Sequence, residues 1–182
     1  MEALYAVAVW LGPRQGELAA LMWADVNPER RIMRIWRSVN TNGAGEIWSS
    51  TKTGEEREII LPENIATSLM RHRKIQAEEK LGAGASWRNL DLVYPNTKGG
   101  VNRRTTVWEN FQRHCERAGL PRRRFHDLRD TAATLMIRSG VDVRTVADIL
   151  GHADPAMTLR RYAHVLPDMR ERAANLIDSY AV

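Results

Sequence analysis

A single cysteine, Cys115, stands in 182 residues, which excludes an internal disulfide and a cysteine-rich zinc module and fits a reducing compartment. No apolar run approaches the roughly eighteen residues of a membrane span. The most apolar stretch, LYAVAVWLG, is short, has no basic leader and runs straight into PRQGE. Neither a signal peptide nor an anchor is expected, and the chain reads as cytoplasmic. Repeats, low-complexity tracts and an obvious interdomain linker are missing as well. Acidic residues are the minority, 22 against 27 basic ones, for a net charge of +5. That balance favours an anionic partner, nucleic acid first among them, and three clusters reinforce it: PRRRF (121–125), NRR (102–104) and LRRY (159–162).

What is present supports a folded domain, because 43% hydrophobic residues suffice for a core at this length. The fold class expected is α+β, mostly helical with a small three-stranded antiparallel sheet. Residues 1–11 read as an apolar helix ended by Gly12-Pro13, and 15–23 as a short helix facing Leu18, Leu21 and Met22 inward. Extended runs at 31–39, 46–51 and 57–61 make the sheet, turned by NTNGAGE and KTGEE, with Lys52 at the entrance of the second turn. After Pro62 a long helix runs to about Leu81, where GAGASWRNLD breaks it; 92–94 reads as a brief strand. Helices follow at 104–118, 125–139 and 143–150. Asp154 as N-cap with Pro155 at the first helical position starts another, which carries Tyr162. Met169, Ala173, Leu176, Ile177 and Tyr180 give 168–180 an amphipathic helical pattern.

Three stretches hold residues suited to chemistry. In FHDLRDTAATLMIRSG, His126 and Arg129 fall about 60° apart on one helix face, with Leu128, Ala132 and Leu135 roughly opposite as the side to be buried. In GPRQGEL, Arg14 follows a rigid Gly-Pro bend and Glu17 is placed to hold it. In LGHADPAMTLRRYAHV, Gly151 ends a helix, His152 sits in the connection, and Tyr162 comes between Arg160, Arg161 and His164, a poor neighbourhood for a core tyrosine. Each stretch also has an ordinary structural explanation. Together they suit attack on a phosphodiester. Tyrosine serves as a nucleophile if a base or a strongly positive site offsets its pKa near 10. Arginines grip the non-bridging oxygens with forked hydrogen bonds, and a hairpin lysine protonates the leaving oxygen.

Taken in order, GPRQGELAALMWADV, TKTGEEREIILP, LVYPNTKGG, FHDLRDTAATLM and LGHADPAMTLRRYAHV resemble the catalytic domain of the tyrosine recombinases, in the phage-integrase branch. The resemblance covers nearly all of 1–182. It implies that Arg14, Lys52, His126, Arg129, His152 and Tyr162 are the catalytic set, with Tyr162 the nucleophile and Lys52 the general acid. It implies double-stranded DNA as partner, a homotetramer on DNA for the full-length protein with the isolated fragment a monomer as the alternative, and no metal or organic cofactor. Glu17 matches a common supporting residue. Pro13 and Asp130 depart from the pattern: a bulkier apolar residue is usual before the arginine, and a histidine is frequent after the Leu-Arg pair. The core-binding and arm-binding domains that family members carry have no counterpart here, so a truncated chain is expected, and the helix within 168–182 is expected to pack on a neighbouring copy.

Arg103, Arg122, Arg123 and Arg124 are the candidate phosphate contacts, of the kind that position DNA without reading its sequence. Two rivals differ in class. A metal-dependent phosphohydrolase built on His126 and Asp127, with His152 and Asp154, would be abolished by EDTA. A non-catalytic DNA-binding module would bind in a salt-sensitive way and form no covalent adduct. A type IB topoisomerase shares the tyrosine chemistry, but the wording of the motifs and the histidine–lysine arrangement favour recombination.

Overall fold

The computed structural model describes residues 1–42, 45–51, 56–163, 174–175 and 177–178. Helix α1 (Glu2–Leu11) buries Ala3, Leu4, Val7, Ala8 and Leu11 along one stripe. It stops at Gly12, whose φ of +67° is a left-handed C-cap conformation that favours glycine. A Cβ there would also come within 2.6 Å of the Leu150 side chain, so the stop doubles as a contact point. Helix α2 (Gln15–Ala20) is shorter than the 15–23 expected, because Leu21 turns extended and a 3-10 turn takes over at Trp23–Asp25. Leu18 and Leu21 are buried as expected, whereas Met22 is only half-buried.

The mostly helical α+β architecture with small antiparallel sheets is as expected, but the extended residues divide differently. Strands β1 (Val26–Asn27), β2 (Ile32–Ile35) and β5 (Arg57–Ile60) form one antiparallel sheet in the order β1-β2-β5. Strands β3 (Arg37–Asn42) and β4 (Gly45–Ser50) form a separate pair. The run read as a single strand over 31–39 thus breaks at Trp36. Asp25 explains the break: one carboxylate oxygen accepts from the Trp36 indole at 2.8 Å and the other from Arg37 at 2.5 Å. Both residues are drawn toward that corner, with the Arg37 guanidinium over the Trp36 ring. The strand expected at 92–94 reduces to an isolated bridge, Met22 to Leu92.

Helix α3 (Glu63–Ala83) follows Pro62 and packs on α1 through Ile65, Ala66 and Leu69. Helices α4 (Arg104–Arg117), α5 (Asp127–Arg138), α6 (Val143–Leu150) and α7 (Pro155–Tyr162) follow in chain order. The main core joins α1, α3, α4 and the three-stranded sheet, with Val7, Met33, Ile59, Leu61, Leu69 and Phe111 among its members. A smaller cluster of Ala133, Ile137, Val146, Leu150 and Tyr162 ties α5, α6 and α7 together. Two expectations fail here. Helix α5 buries Arg129, Ala132, Ala133 and Ile137, whereas Leu128 is half-buried and Leu135 exposed, so the arginine lies on the inward face. Tyr162 is a core residue after all, its ring seated in the apolar cluster with 3% exposure.

Lys52, His164 and most of the helix expected at 168–180 lie outside the described residues; of that helix only 174–175 and 177–178 are described, and they are helical. No helix among the described residues is long and apolar enough to cross a membrane.

Candidate active site

Two helix ends and one helix start bring the candidate residues together. Arg14 occupies the N-cap position of α2, directly after the Gly12-Pro13 bend. Its backbone N–H and its Nη1 both donate to the Glu17 carboxylate at 2.8 Å, and its Nη2 reaches the carbonyl of Gly151 at 2.8 Å. That carbonyl belongs to the C-cap of α6, so residues 137 apart in sequence are joined at once. Arg129 donates Nη1 to the carbonyl of Gly12, the C-cap of α1, at 2.7 Å. Its Nη2 is buried and has no partner among the described residues. Burial and the repulsion of Arg14 lower the Arg129 pKa to about 10, which still leaves it charged at neutral pH.

Sequence reasoning missed Arg57. It lies on β5, five residues after Lys52, in a stretch that reads as ordinary strand with solvated charge. Its Nη2 and Nη1 donate to the two oxygens of Glu17 at 2.7 and 3.3 Å, and its Nε donates to the Ile149 carbonyl at 2.9 Å. Gly151 presses on the same guanidinium. Its φ is +69°, and a Cβ at that position would come 2.7 Å from Arg57 Nη1. A side chain there would therefore displace the arginine as well as strain the backbone. Glu17, with 1% exposure, is thus the shared counter-charge of Arg14 and Arg57.

His152 follows Gly151, and its Nδ1 lies 2.5 Å from Oγ1 of the fully buried Thr158, a partner that sequence reasoning also missed. Burial first, then the positive charges of Arg129, Arg14, Arg161 and Arg57, hold its pKa down at about 4. His152 is therefore a neutral imidazole at pH 7. The tautomer in which Thr158 donates to Nδ1 leaves Nε2–H as a hydrogen-bond donor. A pKa lowered in the folded state gives stability that is fully present above the unfolded value near 6.5. It is lost as pH falls through about 4. An imidazole NMR titration, with the signal assigned by its loss in His152→Gln, is expected to show a midpoint near 4. A midpoint at 6 or above would contradict the cationic surroundings described.

Tyr162 ends α7 and donates its hydroxyl to Asp130 Oδ1 at 2.8 Å. Burial, the hydrogen bond to Asp130 and that residue's charge raise the tyrosine pKa to about 12, against the opposing pull of Arg161 and Arg129. His126 is the N-cap residue of α5, and partial burial of its ring moves its pKa below the ordinary value. Arg103, Arg122, Arg123 and Arg124 are all exposed. Arg122 faces the Trp108 ring, and Arg124 is bound to Asp127.

Arg14, Arg129, His152 and Tyr162 thus meet, and His126 stands at the same end of α5 as Arg129 and Asp130. The phosphohydrolase ligand set does not assemble. Asp127 is held by Arg124, Asp154 caps α7 by accepting from Ala156 N–H, and no three such groups gather among the described residues in a way that could hold a metal.

Comparison with known proteins gives the family and the fold. A family model described as the phage integrase family matches residues 2–169. The chain is 30% identical over 191 residues to a XerC-like tyrosine recombinase of Caldanaerobacter subterraneus subsp. tengcongensis, covering 98% of this chain and 49% of that protein. It is 25% identical to the ICEBs1 integrase of Bacillus subtilis, covering 97% of this chain and 48% of that one. Among solved structures, the Tn1549 transposon integrase in complex with transposon right end DNA superposes with a TM-score of 0.80 at 21% identity, covering 96% of this chain and 58% of that one. XerA recombinase superposes with a TM-score of 0.73 at 24% identity, covering 94% and 57%. Those two likenesses are of fold. The chain spans about half the length of the curated relatives it matches.

Proposed function

The chain belongs to the phage integrase family, and from that premise we propose that it is the catalytic unit of a site-specific DNA recombinase working through a covalent 3′-phosphotyrosyl intermediate. The observation that carries this reading is the meeting of Arg14, Arg129, His152 and Tyr162, from four separate segments, in one cluster whose charges act on each other. In the proposed reaction the Tyr162 oxygen attacks phosphorus and gives up its proton to the neutral His126 imidazole. The bond to the 5′-oxygen breaks, and that oxygen takes a proton from Lys52, the general acid by resemblance. Arg14 and Arg129 hold the non-bridging oxygens as negative charge grows, with the unpaired Arg129 Nη2 available for one of them. Neutral His152 adds a hydrogen bond, and His126 assists proton movement. The 5′-hydroxyl of a partner strand then attacks the phosphotyrosyl link and restores Tyr162, so the energy of the broken bond is kept.

Residues 1–182 would act as one catalytic domain on double-stranded DNA in the cytoplasm, with Arg103, Arg122, Arg123 and Arg124 on phosphates. The active assembly would be a homotetramer on DNA, and the segment 168–182 would pack on a neighbouring copy.

The test is covalent trapping. The protein is incubated in EDTA with supercoiled plasmid and with nicked duplex oligonucleotides, quenched in SDS, and scored for protein-linked DNA beside Tyr162→Phe. An adduct made only by the parent protein, at a rate indifferent to chelation, is the expected result. DNA binding without any adduct, also in a version extended by a core-binding domain, would make the chain a binding module.

A further inference from the structure

We propose that Asp130 is the residue that positions the Tyr162 hydroxyl and keeps it protonated in the resting site; this rests on the reading of Tyr162 as the nucleophile. Three hydrogen bonds converge on the one carboxylate. Tyr162 donates to Oδ1 at 2.8 Å, and Arg161 donates Nε to Oδ1 and Nη2 to Oδ2, both at 3.0 Å. Arg161 and Tyr162 are neighbours on α7, while Asp130 lies on α5. The carboxylate therefore clamps the last turn of α7 to the helix that carries Arg129. The ring on its other side is fixed among Ala133, Ile137, Val146 and Leu150. With the ring gripped and the hydroxyl bound, the reactive oxygen has one direction.

Burial of the phenol first, and then the groups around it, decide which protonation state is held. Arg129 and Asp130 face the phenol from α5 and Arg161 from its own helix, while α6 offers apolar Val146 and Leu150. His126 and Arg161 face Asp130 in turn. Burial works against the Asp130 charge, yet the hydrogen bonds from Arg161 and Tyr162 hold its carboxyl below the ordinary range. An ionised carboxylate accepting from a phenol stabilises the neutral phenol. With a pKa of about 12 in place of the ordinary 10, phenolate at neutral pH is scarcer by about a hundredfold. A carboxylate this acidic is also a poor proton acceptor for a phenol this weak, so the pair holds a proton in place and does not transfer it. The site is thus built to keep the nucleophile directed and uncharged when no phosphate is bound.

Asp130→Asn separates direction from charge, because the amide oxygen can still accept from Tyr162. Asp130→Ala removes both. Protein labelled with 13C at tyrosine Cζ, with Tyr162 assigned by its loss in Tyr162→Phe, reports the phenol directly. The Tyr162 midpoint is expected near 12 in the parent and lower by about one unit in Asp130→Asn. In single-turnover cleavage of nicked duplex at pH 7, Asp130→Asn is expected to be faster than the parent by roughly tenfold for each unit of that fall. Asp130→Ala is expected to be slower than the parent. A Tyr162 midpoint unchanged by Asp130→Asn would overturn the proposal. So would cleavage by Asp130→Asn as slow as by Asp130→Ala, which would make Asp130 the proton acceptor. Should the parent itself form no adduct, the recombinase reading falls, while the NMR titration still decides what Asp130 does to Tyr162.

Discussion

Glu17→Ala is expected to destabilise the fold by about 3–5 kcal/mol, the cost of removing one member of a buried ion pair. At this chain length, that corresponds to a fall of roughly 10 °C in the unfolding midpoint. Glu17 is 1% exposed and accepts from the Arg14 backbone, from Arg14 Nη1 and from both terminal nitrogens of Arg57. Without it, two guanidinium groups near a third at Arg129 lose their common counter-charge. The pH dependence has a definite sign. Burial alone would raise the Glu17 pKa, but the hydrogen bonds and charge of Arg57, then of Arg14, bring it below its ordinary value of 4.5. The stability it contributes is present above that value and is lost as pH falls through the lower folded one. Urea unfolding followed by tryptophan fluorescence, from pH 7 to pH 3, should show the parent losing stability more steeply with acid than Glu17→Ala. A loss below about 1 kcal/mol at pH 7, the scale of an exposed pair, would mean that the arginines find other partners. Cleavage is expected to fall with stability, since Arg14 is no longer aimed.

Arg129→Lys is expected to slow strand cleavage by about 10²–10³-fold, the scale seen when one donor to a developing oxyanion is removed. Lysine keeps a charge, and its ammonium can still meet the Gly12 carbonyl that accepts Arg129 Nη1. It cannot also present the second arm of the fork, Nη2, which is the arm left unpaired. Arg129 also sits beside Arg14 and Arg57 in a buried place, and an ammonium there neutralises more readily than a guanidinium. The variant should bind duplex DNA within a few-fold of the parent, because the proposed phosphate contacts at Arg103, Arg122, Arg123 and Arg124 are unchanged. The measurement is single-turnover cleavage at saturating protein, beside a fluorescence-anisotropy binding curve. A slowing of less than tenfold would show that Arg129 does not touch the transition state.

Much of this was legible in the residue order, and the parts that were not have physical reasons. Gly12 and Gly151 end helices as expected because only a left-handed residue closes those turns, and Asp154-Pro155 opens α7 by ordinary capping. Arg14 with Glu17 could be read because partners three residues apart across a helix start are local. Arg57 could not, since its partners are 40 and 92 residues away and its own surroundings look like exposed strand. The break at Trp36 depends on Asp25, eleven residues upstream, which nothing in the strand's own alternation announces. Hydrophobicity is a poor guide to the inward face of α5. Arg129 is buried for the sake of a backbone carbonyl, and Leu135 is left outside. The charged sequence neighbours of Tyr162 argue against a core position, yet its ring packs in the apolar cluster while Arg161 meets the hydroxyl end through Asp130.

Three guanidinium groups in this site end on main-chain oxygens: Arg129 on Gly12, Arg57 on Ile149 and Arg14 on Gly151. Those oxygens lie at the C-terminal ends of α1 and α6, where helix carbonyls are unpaired and the helix dipole is negative. Every amino acid supplies such an oxygen, so random mutation of the side chains in either helix cannot delete the acceptor, only shift its position. A saturation-mutagenesis map should therefore be lopsided. Positions in α1 and α6 that support the arginines would accept many substitutions of matching size, while the two glycine stops and the arginines themselves would accept almost none. Diverged relatives could then preserve the same geometry with little side-chain identity in the helices that hold it.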